Sequence, residues 1–174
     1  IDSSTMMNKI FEFIEAKKIF NLSNEQIDIL IHPNSFVHAI IYFKGNLIKF
    51  LAHDTNMKIP ISNALGIKDR INKNSISNRL KYLNDLKFEF PKIKTFPLLK
   101  ILKLIPNKSS YFETILITLN DELVLKYLKG KINYISIQSN LLKIIKKPYF
   151  KRFYKLKPKN IYDIKNMIMI TKSY

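Results

Sequence analysis

The side chains best suited to chemistry lie at the start of the chain, in "IDSSTMMNKIFEFIEAKKIF" (1–20), where Ser3, Ser4, Asn8, Lys9 and Glu12 interrupt an apolar run. Asn8 and Glu12 are four residues apart and so share one face of a helix, with Lys9 on an adjoining face. Hydroxyls at the amino end, an amide and an ammonium suit a phosphate, because free backbone N–H groups and the helix dipole both favour an anion there. Glu12, one turn deeper, could give an oxygen ligand to a hard divalent cation. A plainer reading of the same residues has Ser3 capping the helix, Lys9 solvated and Glu12 paired with Lys9 or Lys18.

The elements that must carry this row follow from the patterning around it. "DSST" offers N-caps, and Met7, Ile10, Phe11 and Ile14 recur at helical spacing, which predicts a helix over about 5–20. "NLSNEQ" breaks it. "IDILIHP" (27–33) reads as a buried strand ending at Pro33, and "FVHAIIYF" (36–43) and "NLIKFLAH" (46–53) read as two more, joined by the "KGN" turn at 44–46. Residues 54–92 look connective, and after "FPKIKTFP" (90–97) only helical patterns remain. These are "LLKILKLI", then "SSYFETILITLNDELVLKYLKG" stopped by Gly130, then "SNLLKIIKK", and "NIYDIKNMIMI" after Pro158. The expected class is α+β: a helix plus a short hydrophobic sheet, followed by a small C-terminal helical bundle.

Composition removes several classes of function. With 174 residues and no cysteine, the chain can bury a core but has no disulfide, thiolate metal site or cysteine nucleophile. Its longest apolar stretches fall far short of the roughly 20 residues of a membrane helix, so a soluble protein with no membrane partner is expected. A net charge of +17 raises nucleic acid as a partner, yet the chain has 27 Lys against 3 Arg, beside 29 Ile and 17 Asn. Those three over-used residues have A/T-rich codons, so mutational bias spread over solvated faces is preferred to a selected basic groove, and no nucleic-acid partner is expected. The alternative is a basic binding module for nucleic acid or an anionic surface. It would be centred on "KIIKKPYFKRFYKLKPK" (143–159), where Tyr149, Phe150, Phe153 and Tyr154 stand among lysines; a decayed remnant is a third reading. His32, His38 and His53 stand at strand ends, where a structural hydrogen bond is the usual role. There is no HExxH, no glycine-rich phosphate loop and no GxSxG.

Three blocks, "IDSSTMMNKIFEFIEA", "ILIHPNSFVHAIIYF" and "DTNMKIPI", in this order and spacing, resemble the 1-deoxy-D-xylulose 5-phosphate reductoisomerase family. Members of that family carry runs of the form DSATMMNKGLE, IHPQSIVHS and PDMRxPI. The likeness is strong over about residues 1–62, continues through "LKFEFPKIKTFPLL" and "LNDELVLKYLKGKINYISI", and is faint after about 130. It implies that residues 1–66 are the C-terminal portion of the family's catalytic domain, 67–92 a connective segment and 93–174 the helical bundle. By the same resemblance Ser3, Asn8 and Lys9 bind the phosphate of a sugar-phosphate substrate and Glu12 is a substrate and metal ligand, for Mg²⁺ or Mn²⁺. His38 is implied near the reacting centre and Met57 near the nicotinamide of NADPH. The implied reaction gives 2-C-methyl-D-erythritol 4-phosphate, in the isoprenoid pathway, in a bacterial cytoplasm or plastid stroma, by a homodimer joined through the sheet region.

This sequence departs from the pattern in places. The glycine of "MNKG" is Ile10, which would add bulk beside the row; "HPQS" reads "HPNS" (32–35) and "PDM" reads "TNM" (55–57). The family's NADPH-binding domain, its other acidic metal ligands and its lid would precede the position matching Ile1. The expectation is therefore a piece of a longer enzyme, inactive alone, since one carboxylate does not hold a catalytic Mg²⁺ tightly.

Overall fold

The computed structural model describes residues 1–67, 83–84 and 86–174, so much of the connective segment expected over 67–92 lies outside the described residues. In chain order the elements are α1 (Met7–Ile19), a 3₁₀ turn (Asn24–Gln26), β1 (Val37–Tyr42), β2 (Ile48–Ala52) and α2 (Lys58–Ala64). A 3₁₀ helix (Pro97–Leu104), α3 (Phe112–Leu128), α4 (Tyr134–Ile144), α5 (Pro148–Lys151) and α6 (Ile161–Ser173) complete them. They divide into two compact units, Ile1–Ile29 with Pro91–Tyr174, and Leu30–Phe90.

In the first unit α1 shares one core with helices far downstream. Its buried positions Met7, Ile10, Phe13, Ile14 and Lys17 follow three-and-four spacing, while Asn8, Lys9, Glu12 and Glu15 are exposed. The core gathers Met7 and Ile10 with Leu98, Ile101, Phe112, Leu116, Ile137, Leu141 and Phe150. The expected cap in "DSST" does not form: Met6, in the left-handed region at φ 64°, precedes the helix without a side-chain cap. A backbone turn takes that role, with Thr5 N–H donating to Ile1 O (3.0 Å) and Asn8 N–H to Asp2 O (3.2 Å).

"LLKILKLI" is 3₁₀ rather than α, opening on Pro97 with Leu98, Leu99 and Ile101 buried. Just ahead of α3, Ser110 Oγ accepts from Phe112 N–H (3.1 Å) and Glu113 Oε2 accepts from Ser110 N–H (3.3 Å), which occupies donors at the start of the helix. It closes at Gly130, φ 69°, with Gly130 N–H to Tyr127 O and Lys131 N–H to Lys126 O, both 2.9 Å. Asn133 and Asn160 cap α4 and α6, accepting from Ser136 N–H (2.8 Å) and Asp163 N–H (3.0 Å).

In the second unit β1 and β2 pair antiparallel around the expected turn, with Ile40 opposite Phe50 and Tyr42 opposite Ile48. The expected third strand over 27–33 is absent among the described residues. Ile27 and Ile29 pack on the helical core instead, and only Ile31 makes a bridge, exchanging backbone bonds with Glu89 at 2.8 and 3.0 Å. Within the stretch read as connective, α2 forms where Asn56 Oδ1 accepts from Lys58 N–H (3.0 Å), with Pro60 tolerated in the first turn and Gly66 (φ 69°) just past the end.

Candidate functional site

One face of α1 and the turn before it bring Ser3, Asn8, Lys9 and Glu12 together in solvent. Asn8 Nδ2 donates to Ser3 Oγ at 2.9 Å, and Lys9 Nζ lies 2.6 Å from Glu12 Oε2, both of the latter side chains about half exposed. Ser3 is thus held by Asn8 rather than capping the helix. Lys18 pairs instead with Glu113, at 3.1 Å. Ile10 is fully buried, so its side chain fills the core and does not crowd the row, correcting the expectation of added bulk there. The arrangement presents a hydroxyl, an amide and an ammonium to an anion beside one carboxylate.

A divalent cation needs more than this face offers. Ca²⁺ and Mg²⁺ take six or more oxygens, and Glu12 is one carboxylate already facing an ammonium. Among the described residues no group of three or more His, Asp or Glu is placed to share a metal ion. The described residues do not by themselves fit the metal, and Glu12 could supply one ligand of a set.

His38 and Met57 belong to the other compact unit. The β1–β2 register slips between Val37 and Ala39, so His38 sits in a bulge that re-aims its ring. That ring stacks on His53 with centroids 3.7 Å apart, and His38 Nε2 donates to His53 O at 3.1 Å. A carbonyl can only accept, so the proton of this bond is carried on Nε2. Met57 is exposed just before α2. His32 donates through Nδ1 to Lys87 O (2.9 Å) and stacks on Phe88, a structural arrangement.

Three residues of the first unit escaped the sequence reading. Lys17 is buried, donating to Asn24 Oδ1 (2.5 Å) and Pro106 O (2.6 Å), and burial lowers its pKa against the opposing pull of Glu113. It borders a cleft of about 440 Å³ whose lining includes Lys18, Lys108, Lys157 and Glu113 but none of the row. Asn120, buried within α3, donates to Asp2 Oδ1 (3.2 Å), and Tyr134 donates to Ser4 Oγ (2.8 Å). An asparagine between Leu119 and Leu123 on an apolar face was a visible signal, since a buried amide demands a partner.

The aromatic residues of 143–159 are packed against other rings of the same unit. Tyr149 stacks on Tyr174 (5.0 Å), Phe153 meets Tyr111 edge-on (6.3 Å), and Tyr154 packs against Phe112 (4.8 Å) while donating its hydroxyl to Ile145 O. Arg152 lies 4.4 Å from the Tyr149 ring centre and 4.6 Å from that of Phe153. Phe150 is fully buried. Rings spent on the fold are poor platforms for stacked bases, so the basic-module reading is not favoured. No helix among the described residues is long and apolar enough to cross a membrane.

Comparison with known proteins agrees with the three motif blocks. The family model described as DXP reductoisomerase C-terminal domain matches residues 53–173. A 1-deoxy-D-xylulose 5-phosphate reductoisomerase of Pelagibacter ubique is 47% identical over 167 residues, 96% of this chain and 43% of that protein. Another, of Persephonella marina, is 34% identical over 94% of this chain and 43% of its own length. A crystal structure of DOX-P reductoisomerase in complex with magnesium superposes with a TM-score of 0.85 at 28% identity, over 99% of this chain and 44% of that one. One with NADPH, fosmidomycin and magnesium gives 0.84 at 28%, over 99% and 43%. The chain therefore spans less than half the length of the relatives it matches. On the matched residues and this fold, the chain belongs to the DXP reductoisomerase C-terminal domain family.

Proposed function

We propose that this chain carries the phosphate-binding face and one metal ligand of an NADPH-dependent reductoisomerase that converts 1-deoxy-D-xylulose 5-phosphate to 2-C-methyl-D-erythritol 4-phosphate. The observation that carries the reading is the solvent-facing row in a chain of this family: Ser3 Oγ and Asn8 Nδ2 at 2.9 Å, with the Lys9–Glu12 pair alongside at 2.6 Å. Ser3 and Asn8 would donate to the phosphate and Lys9 would add its charge. Glu12 would give one oxygen to Mg²⁺ or Mn²⁺, which supplies Lewis-acid polarisation when bound. Lys9 engages Oε2 of Glu12, and the second oxygen, Oε1, would be the one offered to the cation. The NADPH site would lie mostly outside residues 1–174, as would the remaining metal ligands, and the chain alone would be inactive.

In this reading 1–66 is the C-terminal portion of the catalytic domain, 67–92 a connector and 93–174 the supporting bundle. His38 and Met57 would stand near the reacting centre and the cofactor ring. The place of action would be a bacterial cytoplasm, in line with the bacterial relatives, or a plastid stroma. Titrating residues 1–174 with inorganic phosphate tests the row: saturable amide shifts at Ser3, Asn8 and Lys9 are expected, weakened about tenfold in Asn8→Ala. Shifts that do not saturate, or that ignore Asn8→Ala, would count against it.

The hairpin supports a homodimer. Ile41, Tyr42, Phe50 and Leu51 are all exposed, Tyr42 by 73%, and such strand faces require a cover. Phe50→Lys should weaken self-association by tenfold or more, on the order of the loss when a desolvated aromatic anchor is removed. Sedimentation velocity would read this; a strictly monomeric parent chain at micromolar concentration would contradict the dimer.

A further inference from the structure

The turn that carries Ser3 is tied to two helices of the bundle, and the bonds separate its two serines by role. Ser4 Oγ donates to Ile1 O (2.7 Å) and accepts from Tyr134 OH (2.8 Å), so its hydroxyl is committed in both directions. Ser3 Oγ accepts from Asn8 Nδ2, and among the described residues its own proton has no acceptor, which leaves it able to donate to an anion. From α3, Asn120, only 1% exposed, donates to the Asp2 carboxylate at 3.2 Å. The Asp2 carbonyl in turn accepts from Asn8 N–H and from the hydroxyl of buried Thr5, both at 3.2 Å. A shift of Asp2 would therefore move Asn8, and a shift of Ser4 would move its neighbour Ser3.

We propose that Asn120 and Tyr134 are positioning residues of the anion site: from α3 and α4 they hold the Ile1–Met6 turn so that Ser3 and Asn8 meet a phosphate in one fixed geometry. This assigns part of the site's order to the helical bundle, through side chains more than a hundred residues downstream of the ones they hold. Preorganisation of this kind raises affinity by removing the ordering cost of binding. The inference rests on the phosphate reading of the row.

A double-mutant cycle on residues 1–174 tests it, with inorganic phosphate as the probe and the amide shifts of Ser3 and Asn8 as the readout. Tyr134→Phe and Ser4→Ala should each weaken phosphate binding about three- to tenfold, as expected for loss of one hydrogen bond. The double variant should be no weaker than either single one, because Tyr134 acts through Ser4. The thermal midpoint should stay close to that of the parent, which separates positioning from a purely structural role. Asn120→Asp, which sets a carboxylate against Asp2, should weaken binding further; if that variant fails to fold, the Tyr134–Ser4 cycle decides. Parent affinity in both single variants, or additive losses, overturns the positioning role and leaves the phosphate reading intact. Absence of saturable phosphate binding in the parent chain overturns both.

Discussion

Glu12→Gln, in an enzyme that contains this segment, is expected to lower turnover at least about a hundredfold. Replacing one carboxylate oxygen by an amide removes a charged ligand from a hard cation, and even the outer partners of metal ligands cost 10–100-fold when changed, on the order of magnitude typical of such sites. The competing role of Glu12 is the exposed pair with Lys9, and an exposed ion pair is worth about 1 kcal/mol or less. Metal dependence separates the two. If Glu12 served only Lys9, its loss would be small and indifferent to Mg²⁺. A ligand role makes the Glu12 loss far larger and partly relieved by excess Mg²⁺, as steady-state kinetics against metal concentration would show.

Phe112→Ala should cost about 3–5 kcal/mol, the range for truncating a buried aromatic residue. Phe112 is the first residue of α3, fully buried, with its ring edge-on to Tyr154 at 4.8 Å and its N–H held by Ser110 Oγ. Removing the ring opens a cavity in the core shared by α1, α3 and the 3₁₀ helix and loosens the helix that holds Asn120. Since whole domains are stable by only about 5–15 kcal/mol, the loss would be a large part of the total. Chemical denaturation of parent and variant measures it. Phe50→Ala, at a half-exposed ring, should change monomer stability far less.

What the sequence made legible was local. Three-and-four spacing marked α1, "KGN" marked the hairpin turn, and Gly130 marked the end of α3, because each is written in neighbouring residues. The strand expected at 27–33 failed since Ile27 and Ile29 look the same whether they pair in a sheet or pack on helices. "LLKILKLI" failed since its apolar residues satisfy both a three-residue and a 3.6-residue period on so short a run. The cap failed because a backbone turn with Met6 at positive φ competes with any serine.

The row of four was visible in the sequence for the same local reason, as residues on one face and the turn before it. Its anchors were not. Asn120 and Tyr134 meet the turn only through the tertiary fold, and the bulge that re-aims His38 follows from pairing register, which residue types alone do not set.

The most direct test of the assignment is a chimera in which residues 1–174 replace the matching segment of the Pelagibacter ubique relative, whose sequence is 47% identical over the match. NADPH oxidation would be followed by absorbance with 1-deoxy-D-xylulose 5-phosphate and Mg²⁺, each omitted in turn. The expected result is turnover that requires both. A folded chimera that still binds NADPH but shows no substrate-dependent oxidation would contradict the claim that Ser3, Asn8, Lys9 and Glu12 form a reductoisomerase's substrate and metal face.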